Sequence, residues 1–312
     1  MKETFKDEIE IIITSNKEIE DTTSYIAGGL WEPYCYGETL QEDIIKWSTF
    51  TYKLYEQLFT SIEVLNTGIQ QLSVYNFTEE FEEPFWKDIP TIYQQLTIDQ
   101  LKRLKAPSNC HYGYTFLSFV AEPRFFLFWL KEKLLQHQGV TWETKNVNFI
   151  DEQIYNPIST NENQFYDIVI NCTGLGSKEL LNDSECYPIR GQILHIKAPW
   201  ITSSWTFGKY YLIPNRDVVI VGGTAQYNDW NLEVSEEDTE NIWKNVCEVF
   251  PSIQNAPIVK TLVGLRPART TVQLNSERIV LSTNENQVRN VLLVNCYGVG
   301  GCGFTIGPGL AN

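Results

Sequence analysis

Val291-Leu-Leu-Val-Asn-Cys-Tyr-Gly-Val-Gly-Gly-Cys-Gly-Phe-Thr305 is the stretch around which the rest of the chain is organised. The apolar run Val291–Asn295 predicts a buried strand. Four glycines follow within six residues (Gly298, Gly300, Gly301, Gly303), and Phe304, Thr305 and Ile306 then start a helix. Glycine permits positive φ and lets a bulky ligand approach the backbone. A strand, a glycine loop and a helix start also aim free N–H groups at an anion or an electron-rich ring. Taken alone, the same run is equally a tight turn.

Working outward, the 312 residues suffice for one large domain or two interleaved ones. The 43% hydrophobic content, with 9 Trp, 16 Tyr and 16 Phe, is that of a globular protein. Thirty-nine acids against 24 bases give a net charge of −15, which argues against nucleic-acid binding. Seven cysteines, odd in number and without a C-x-x-C pair, read as reduced thiols of an intracellular protein. No apolar run approaches the length of a membrane span. The three histidines are scattered, and no H-E-x-x-H, G-x-S-x-G or Walker loop is present. No metal is expected, and a cofactor's chemistry fits better than a nucleophilic triad.

Along the chain, Glu10–Thr14 predicts a short buried strand. Asp21–Tyr34, with its hydroxyl cluster and Gly28-Gly29, predicts a loop shaped around a ligand or a capped helix followed by a turn. Apolar residues at three-and-four spacing predict a helix over Glu42–Thr60. Strands are expected at Ile69–Tyr75, Tyr112–Phe119 and Val140–Phe149, with a capped short helix after Thr97. Glu122–Gly139 opens on a proline and closes on a glycine, the usual punctuation of a helix. Tyr166–Gly174 predicts a parallel strand entering a glycine turn. Tyr210–Asn215 and Val218–Thr224 predict a hairpin, and Ser235–Phe250 a helix. Scattered strands among helices point to a discontinuous α/β architecture.

Four blocks in order resemble the FAD-dependent D-amino-acid oxidase and D-aspartate oxidase family. They are Ala27-Gly-Gly-Leu-Trp-Glu-Pro-Tyr34, Asn171-Cys-Thr-Gly174 with Arg190-Gly-Gln192, Tyr211-Leu-Ile-Pro214 through Gly264-Leu-Arg-Pro267, and Tyr297–Thr305. The resemblance covers nearly the whole chain. It implies a Rossmann-like FAD-binding domain interleaved with a mixed-sheet α+β substrate domain. Flavin-facing segments would be about 1–37, 139–190 and 270–312, and substrate-facing segments about 38–138 and 191–269. The implied reaction is oxidation of a D-amino acid to a 2-oxo acid, with ammonia and hydrogen peroxide as by-products and molecular oxygen as acceptor.

By resemblance, Arg266 grips the substrate carboxylate, a task suited to a planar, bidentate cation. Tyr211 helps hold that carboxylate, and the Gly301 carbonyl meets the amine. Thr23, Ser24, Gly28, Gly29 and Leu30 match a cofactor segment, as do Thr173 and Gly174 near the nucleotide. Gly300, Gly303, Phe304 and Thr305 match the flavin loop. Arg269 reads as structural.

Departures from the family pattern temper this. The opening strand and its G-x-G-x-x-G turn for the FAD diphosphate have no match, and Met1–Glu8 corresponds to the end of the first helix. Asn16 stands where an acid is expected for the ribose, and the chain stops at Asn312 where a closing helix would continue. The expectation is weakened FAD retention, with a catalytically impaired relative acting as an interaction protein as the alternative. Ala225 replaces the arginine of D-aspartate oxidases, which favours neutral D-amino acids, although Lys209 keeps the aspartate reading open. A glycine or sarcosine-type oxidase fits less well. The segment from Trp200 to Tyr211 predicts a shortened lid, in which the second lid tyrosine has no clear match, although Tyr210 is nearby. Neither nucleic acid nor membrane is expected as a partner, a homodimer is left open, and the location implied is peroxisomal or cytoplasmic.

Overall fold

The computed structural model describes residues 9–147, 166–282 and 288–312. The Met1–Glu8 segment, read above as the end of a helix, lies outside them, as do the last two residues of the strand expected at Val140–Phe149. Its strands are β1 (Ile11–Ser15), β2 (Ile69–Thr78), β3 (Tyr93–Gln95), β4 (Tyr112–Ala121), β5 (Val140–Thr144), β6 (Ile168–Asn171) and β7 (Cys186–Ile196). They continue as β8 (Ser204–Phe207), β9 (Tyr210–Pro214), β10 (Val219–Gly222), β11 (Gln226–Tyr227), β12 (Ile258–Ser282) and β13 (Val288–Val299). The α-helices are α1 (Thr23–Ile26), α2 (Gln41–Phe59), α3 (Val64–Thr67), α4 (Ile98–Arg103), α5 (Pro123–Leu135), α6 (Ser177–Leu180), α7 (Glu236–Val249) and α8 (Gly303–Leu310).

Local chemistry explains several of these boundaries. Thr97 and Gln100 form a reciprocal capping box at the start of α4. Ser235 caps α7, whose first turn carries Glu236, Glu237 and Asp238 against the positive end of the helix dipole. Pro123 opens α5, where its missing N–H costs nothing. Thr22 caps α1, so the hydroxyl cluster after Asp21 is a helix start first.

One long mixed sheet runs β3-β4-β2-β8-β9-β10-β7-β12-β13-β6, with β11 on β7, while β1 and β5 form a separate parallel pair. The axis of the molecule is β12, whose 25 residues pair first with β7 and then with β13. Among the described residues, no strand joins the β1–β5 pair to β6.

Residues paired across a ladder share a face of the sheet. On one face Leu194, Ile196, Leu212, Val219 and Val221 bury against Ile242 and Val246 of α7. On the other, Val74, Phe116, Ile193, Ile213 and Ile220 pack with Tyr52 and Tyr55 of α2, Phe126 of α5 and the fully buried Trp31. The Trp31 indole donates to the Ser48 carbonyl at 3.0 Å, so its polar atom is satisfied in the core. Arg190, also buried, is held by Asp238 at 2.8 Å, by Gln192 and Gln226, and by the Asn231 and Glu233 carbonyls.

Candidate active site

The site lies on the aromatic face, beside the strand that carries Arg266. Arg266 pairs with Ile189 of β7, and its Nη1 donates to the Thr224 carbonyl at 3.0 Å. The guanidinium fills the space above Gly191, where a Cβ would stand 2.5–2.6 Å from Nη1, Cζ and Nη2. Glycine at 191 is therefore a requirement of the arginine's position.

Tyr211 is arranged in the same way. Its ladder partner is Gly222, and a Cβ at Gly222 would collide with the tyrosine ring. Ladder pairing sets Tyr114, Asn76, Thr206, Tyr211, Gly222, Ile193 and Leu262 in one row across the sheet. Arg266 follows four residues after Leu262 on the same strand, which returns it to that face.

The glycine loop reaches this strand directly. Gly300 donates its N–H to the Pro267 carbonyl at 2.8 Å, and Gly301 donates to Cys35 O at 3.2 Å. Tyr34 bridges the two regions. Its ring centroid lies 5.9 Å from Arg266 Cζ, and its Cδ1 would be 2.8 Å from a Cβ at Gly301. Burial, then the neighbouring Cys35, pushes the Tyr34 hydroxyl well above its usual range, and the Arg266 cation opposes that shift. Cys302 fixes the Tyr34 backbone by accepting its N–H at 3.0 Å and donating to its carbonyl at 2.9 Å. Arg266, Tyr211 and Gly301 thus come into one region around Tyr34.

The remaining candidates divide. Thr23 Oγ1 accepts the Leu265 N–H at 3.3 Å, which puts the start of α1 against β12 one residue before Arg266. The Ser24 carbonyl is used by Ala27 N–H. Gly28 lies over Ile213, and Gly29, at φ 73°, accepts the Ala121 N–H. Leu30 bridges Val120. Phe304 packs on Phe126, and its carbonyl accepts the Tyr55 hydroxyl at 2.7 Å. The Thr305 hydroxyl is committed to the Glu32 backbone at 3.1 and 2.9 Å, and the Thr305 and Ile306 amides donate to the Cys302 carbonyl at 2.8 and 2.9 Å. Thr173 is engaged with Asn171 and Ser177, and Gly174 turns at φ 58° beneath Pro267. Arg269 is structural, paired with Asp183 at 2.8 Å and Glu185 at 3.2 Å.

The short lid expected before Tyr211 takes a definite form. The segment before Tyr211 is a tight hairpin, β8 turning into β9 through Gly208 and Lys209, with Phe207 opposite Tyr210. Strand alternation sends Tyr210 to the opposite face from Tyr211, where it packs near Phe207, so it is no lid tyrosine. The Lys209 ammonium rests 5.4 Å above the Tyr210 ring.

Glu32 was missed in the sequence, although it lies within the Ala27–Tyr34 block. Asn76 Nδ2 donates to Glu32 Oε1 at 2.6 Å and contacts the Tyr114 hydroxyl at 2.8 Å. Burial raises the Glu32 carboxyl to about 7, with the Asn76 hydrogen bond pulling the other way. Asn76 Oδ1 is buried without a partner among the described residues.

A family model described as FAD-dependent oxidoreductase (DAO) matches residues 9–312. The chain belongs to that family. It is 33% identical to a D-amino acid oxidase of Dugesia ryukyuensis over 308 residues, covering 97% of this chain and 88% of the relative. It is 31% identical to a D-aspartate oxidase of Homo sapiens, covering 96% and 84%. Among solved structures it is similar to glycine oxidase from Bacillus cereus ATCC 14579, with a TM-score of 0.74, 16% identity, and coverage of 96% and 87%. The interleaved α/β fold expected from the sequence is therefore that of a DAO-family flavoprotein.

The described residues fit the ring end of FAD. At Gly303, which opens α8, a Cβ would meet only Val299 Cγ2 at 3.8 Å, and at Gly307, one turn on, nothing within 4 Å, which leaves bare backbone for a flat ring. Thr23, Gly28 and Gly29 bring a second backbone segment to the same side of β12. Among the described residues there is no cluster of His, Cys, Asp and Glu able to hold a metal ion, and no helix long and apolar enough to cross a membrane.

Proposed function

We propose that the chain is a D-amino-acid oxidase that converts neutral D-amino acids to 2-oxo acids, releasing ammonia and hydrogen peroxide. The observation that supports this most is the meeting of Arg266 with the Gly300–Gly301 loop around Tyr34. FAD, when bound, supplies the hydride acceptor and returns the electrons to oxygen.

The protein's own residues bind and orient. Arg266 offers a planar fork to the α-carboxylate, and its Thr224 anchor fixes the fork's direction. The Tyr211 hydroxyl adds a second donor from β9, across β10 and β7 on the same face of the sheet. The Gly301 carbonyl accepts from the substrate amine and helps select the hand of the Cα–H. Such orientation is the protein's main contribution when a cofactor takes the electrons.

D-aspartate oxidation is the second reading, favoured by the human relative. Ala225 gives a second carboxylate no cation, and Lys209 is occupied over Tyr210. Burying an unpaired carboxylate is costly. The deciding experiment measures flavin absorbance of the purified chain and then peroxide release with added FAD. D-alanine turnover above D-aspartate supports the proposal. Higher kcat/KM for D-aspartate transfers it to the second reading, and no peroxide from either substrate removes both.

A further inference from the structure

Cys172 and Cys296 stand side by side on neighbouring parallel strands. β6 and β13 pair in register from Ile168–Leu292 to Asn171–Asn295, and one step further brings Cys172 level with Cys296. The Asn171 and Asn295 side chains hydrogen-bond at 3.1 Å on one face. Alternation therefore sends both cysteines to the opposite face. Adjacent strands lie about 4.8 Å apart, inside the range of about 4.4–6.8 Å that a disulfide spans between Cα atoms.

The face they share is open. Ile168, Ile170, Leu274 and Val280 are all exposed there, as is Cys172, and Cys296 is half-buried. Each thiol acts on the other: Cys296, then burial, pushes Cys172 up, and Cys172 draws Cys296 down to about 7 against burial. Other thiols contrast with this: Cys302 is buried and pushed up to about 12, and burial raises Cys110, Cys186 and Cys247.

We propose that Cys172 and Cys296 form a dithiol modification site, oxidised to a reversible disulfide by hydrogen peroxide. The Cys296 thiolate attacks peroxide, breaking the O–O bond; the hydroxide leaving group takes a proton to become water, and Cys296 becomes a sulfenic acid. The Cys172 sulfur then attacks the sulfenic sulfur and expels the second oxygen, which leaves as water with the Cys172 proton. Two thiols lose two electrons and one peroxide becomes two waters. The bond would join the Thr173–Gly174 turn to the strand that feeds the Gly298–Gly303 loop, so oxidation reports directly on two cofactor-facing segments. Only the source of the peroxide rests on the proposed oxidase activity.

The test treats the reduced full chain with a small excess of hydrogen peroxide and follows intact mass and peptide map. The expected result is a loss of about 2 Da, a single Cys172–Cys296 cross-linked peptide, and reversal by dithiothreitol. Cys172→Ser should stop at a sulfenic acid on Cys296, trapped as its dimedone adduct. Cys296→Ser should leave Cys172 unmodified at the same dose. The idea is overturned if the two thiols stay reduced while other cysteines oxidise, if the link joins another pair, or if the chain's mass does not change. Since the wild-type map alone decides, a variant that fails to fold removes nothing. A second arm replaces added peroxide with D-alanine, FAD and oxygen. A link formed with peroxide but not with D-alanine supports the dithiol and counts against the oxidase reading.

Discussion

The amide of Gly300 donates to the carbonyl of Pro267 at 2.8 Å, and this bond ties the strand of Arg266 to the loop of Gly301. The cation and the carbonyl proposed above to hold the substrate's carboxylate and amine are thus positioned by one backbone contact. Gly300 makes it in a left-handed turn at φ 56°, where a Cβ would stand 2.0 Å from the Cys35 carbonyl oxygen.

Gly300→Ala should therefore damage both stability and site. A Cβ there meets the Cys35 backbone carbonyl, which cannot swing aside, at a φ that disfavours alanine. We expect a loss of about 2–4 kcal/mol in urea unfolding, the range of a strained and overpacked backbone position. Flavin binding, followed by absorbance, should weaken in parallel. A variant as stable as the parent would contradict the geometry.

Gly191→Ala tests the placement of Arg266 without removing its charge. The added methyl would displace the guanidinium, and a displacement of about 1 Å costs on the order of 100-fold in rate. Steady-state kinetics with D-alanine should show kcat/KM falling about that far, with unfolding little changed. Arg266→Lys keeps the charge and loses the planar fork, and should cost at least about 10-fold.

Glu32 predicts a pH effect whose sign follows from its carboxyl, which burial raises to about 7 from the ordinary 4.5. Between those values the folded chain holds a proton that the unfolded chain has released, so stability falls as pH rises through this window and levels off above it. Glu32→Gln removes that term. Urea midpoints of variant and parent, compared at pH 5 and pH 8, should show the variant gaining relative to the parent at the higher pH. A pH-independent gap would refute the assignment.

Asp238→Ala strands the buried Arg190 guanidinium, whose ion pair at 2.8 Å lies against α7. Removing one partner of a buried pair costs about 3–5 kcal/mol. The loss should appear as a lowered denaturant midpoint, and a double substitution with Arg190→Met should recover part of it.

How far the sequence could be read depends on the range of the signal. α2 was legible because Trp47, Tyr52 and Tyr55 recur with helical spacing, and the structure ends it at Phe59, one residue from expectation. The capping box at Thr97 and the β9–β10 hairpin were equally local. The length of β12 was not. Gly264 and Pro267 interrupt any strand-like reading, and only the ladder reveals Pro267 facing Pro188, two residues that ask no N–H of each other. Arg266, Tyr211 and Gly301 were named through motif blocks, and the fold brings the three together around Tyr34. Tyr34 and Glu32 were not singled out, because a left-handed turn at Cys35 and a side-chain bond from Asn76 position them, and neither leaves a periodic trace. The lack of a match for the second lid tyrosine stands, since parity alone separates Tyr210 from Tyr211.

An uninterrupted β12 has a mechanical consequence. Lobes that open around a ligand usually rotate on a few loop residues. Here the ladder from β7 through β12 to β13 crosses from one half to the other, so parting them would mean unzipping a sheet. Passage of a ligand to and from Arg266 must then be governed by small movements of side chains and loops such as Tyr34, while the ladder stays fixed through each turnover.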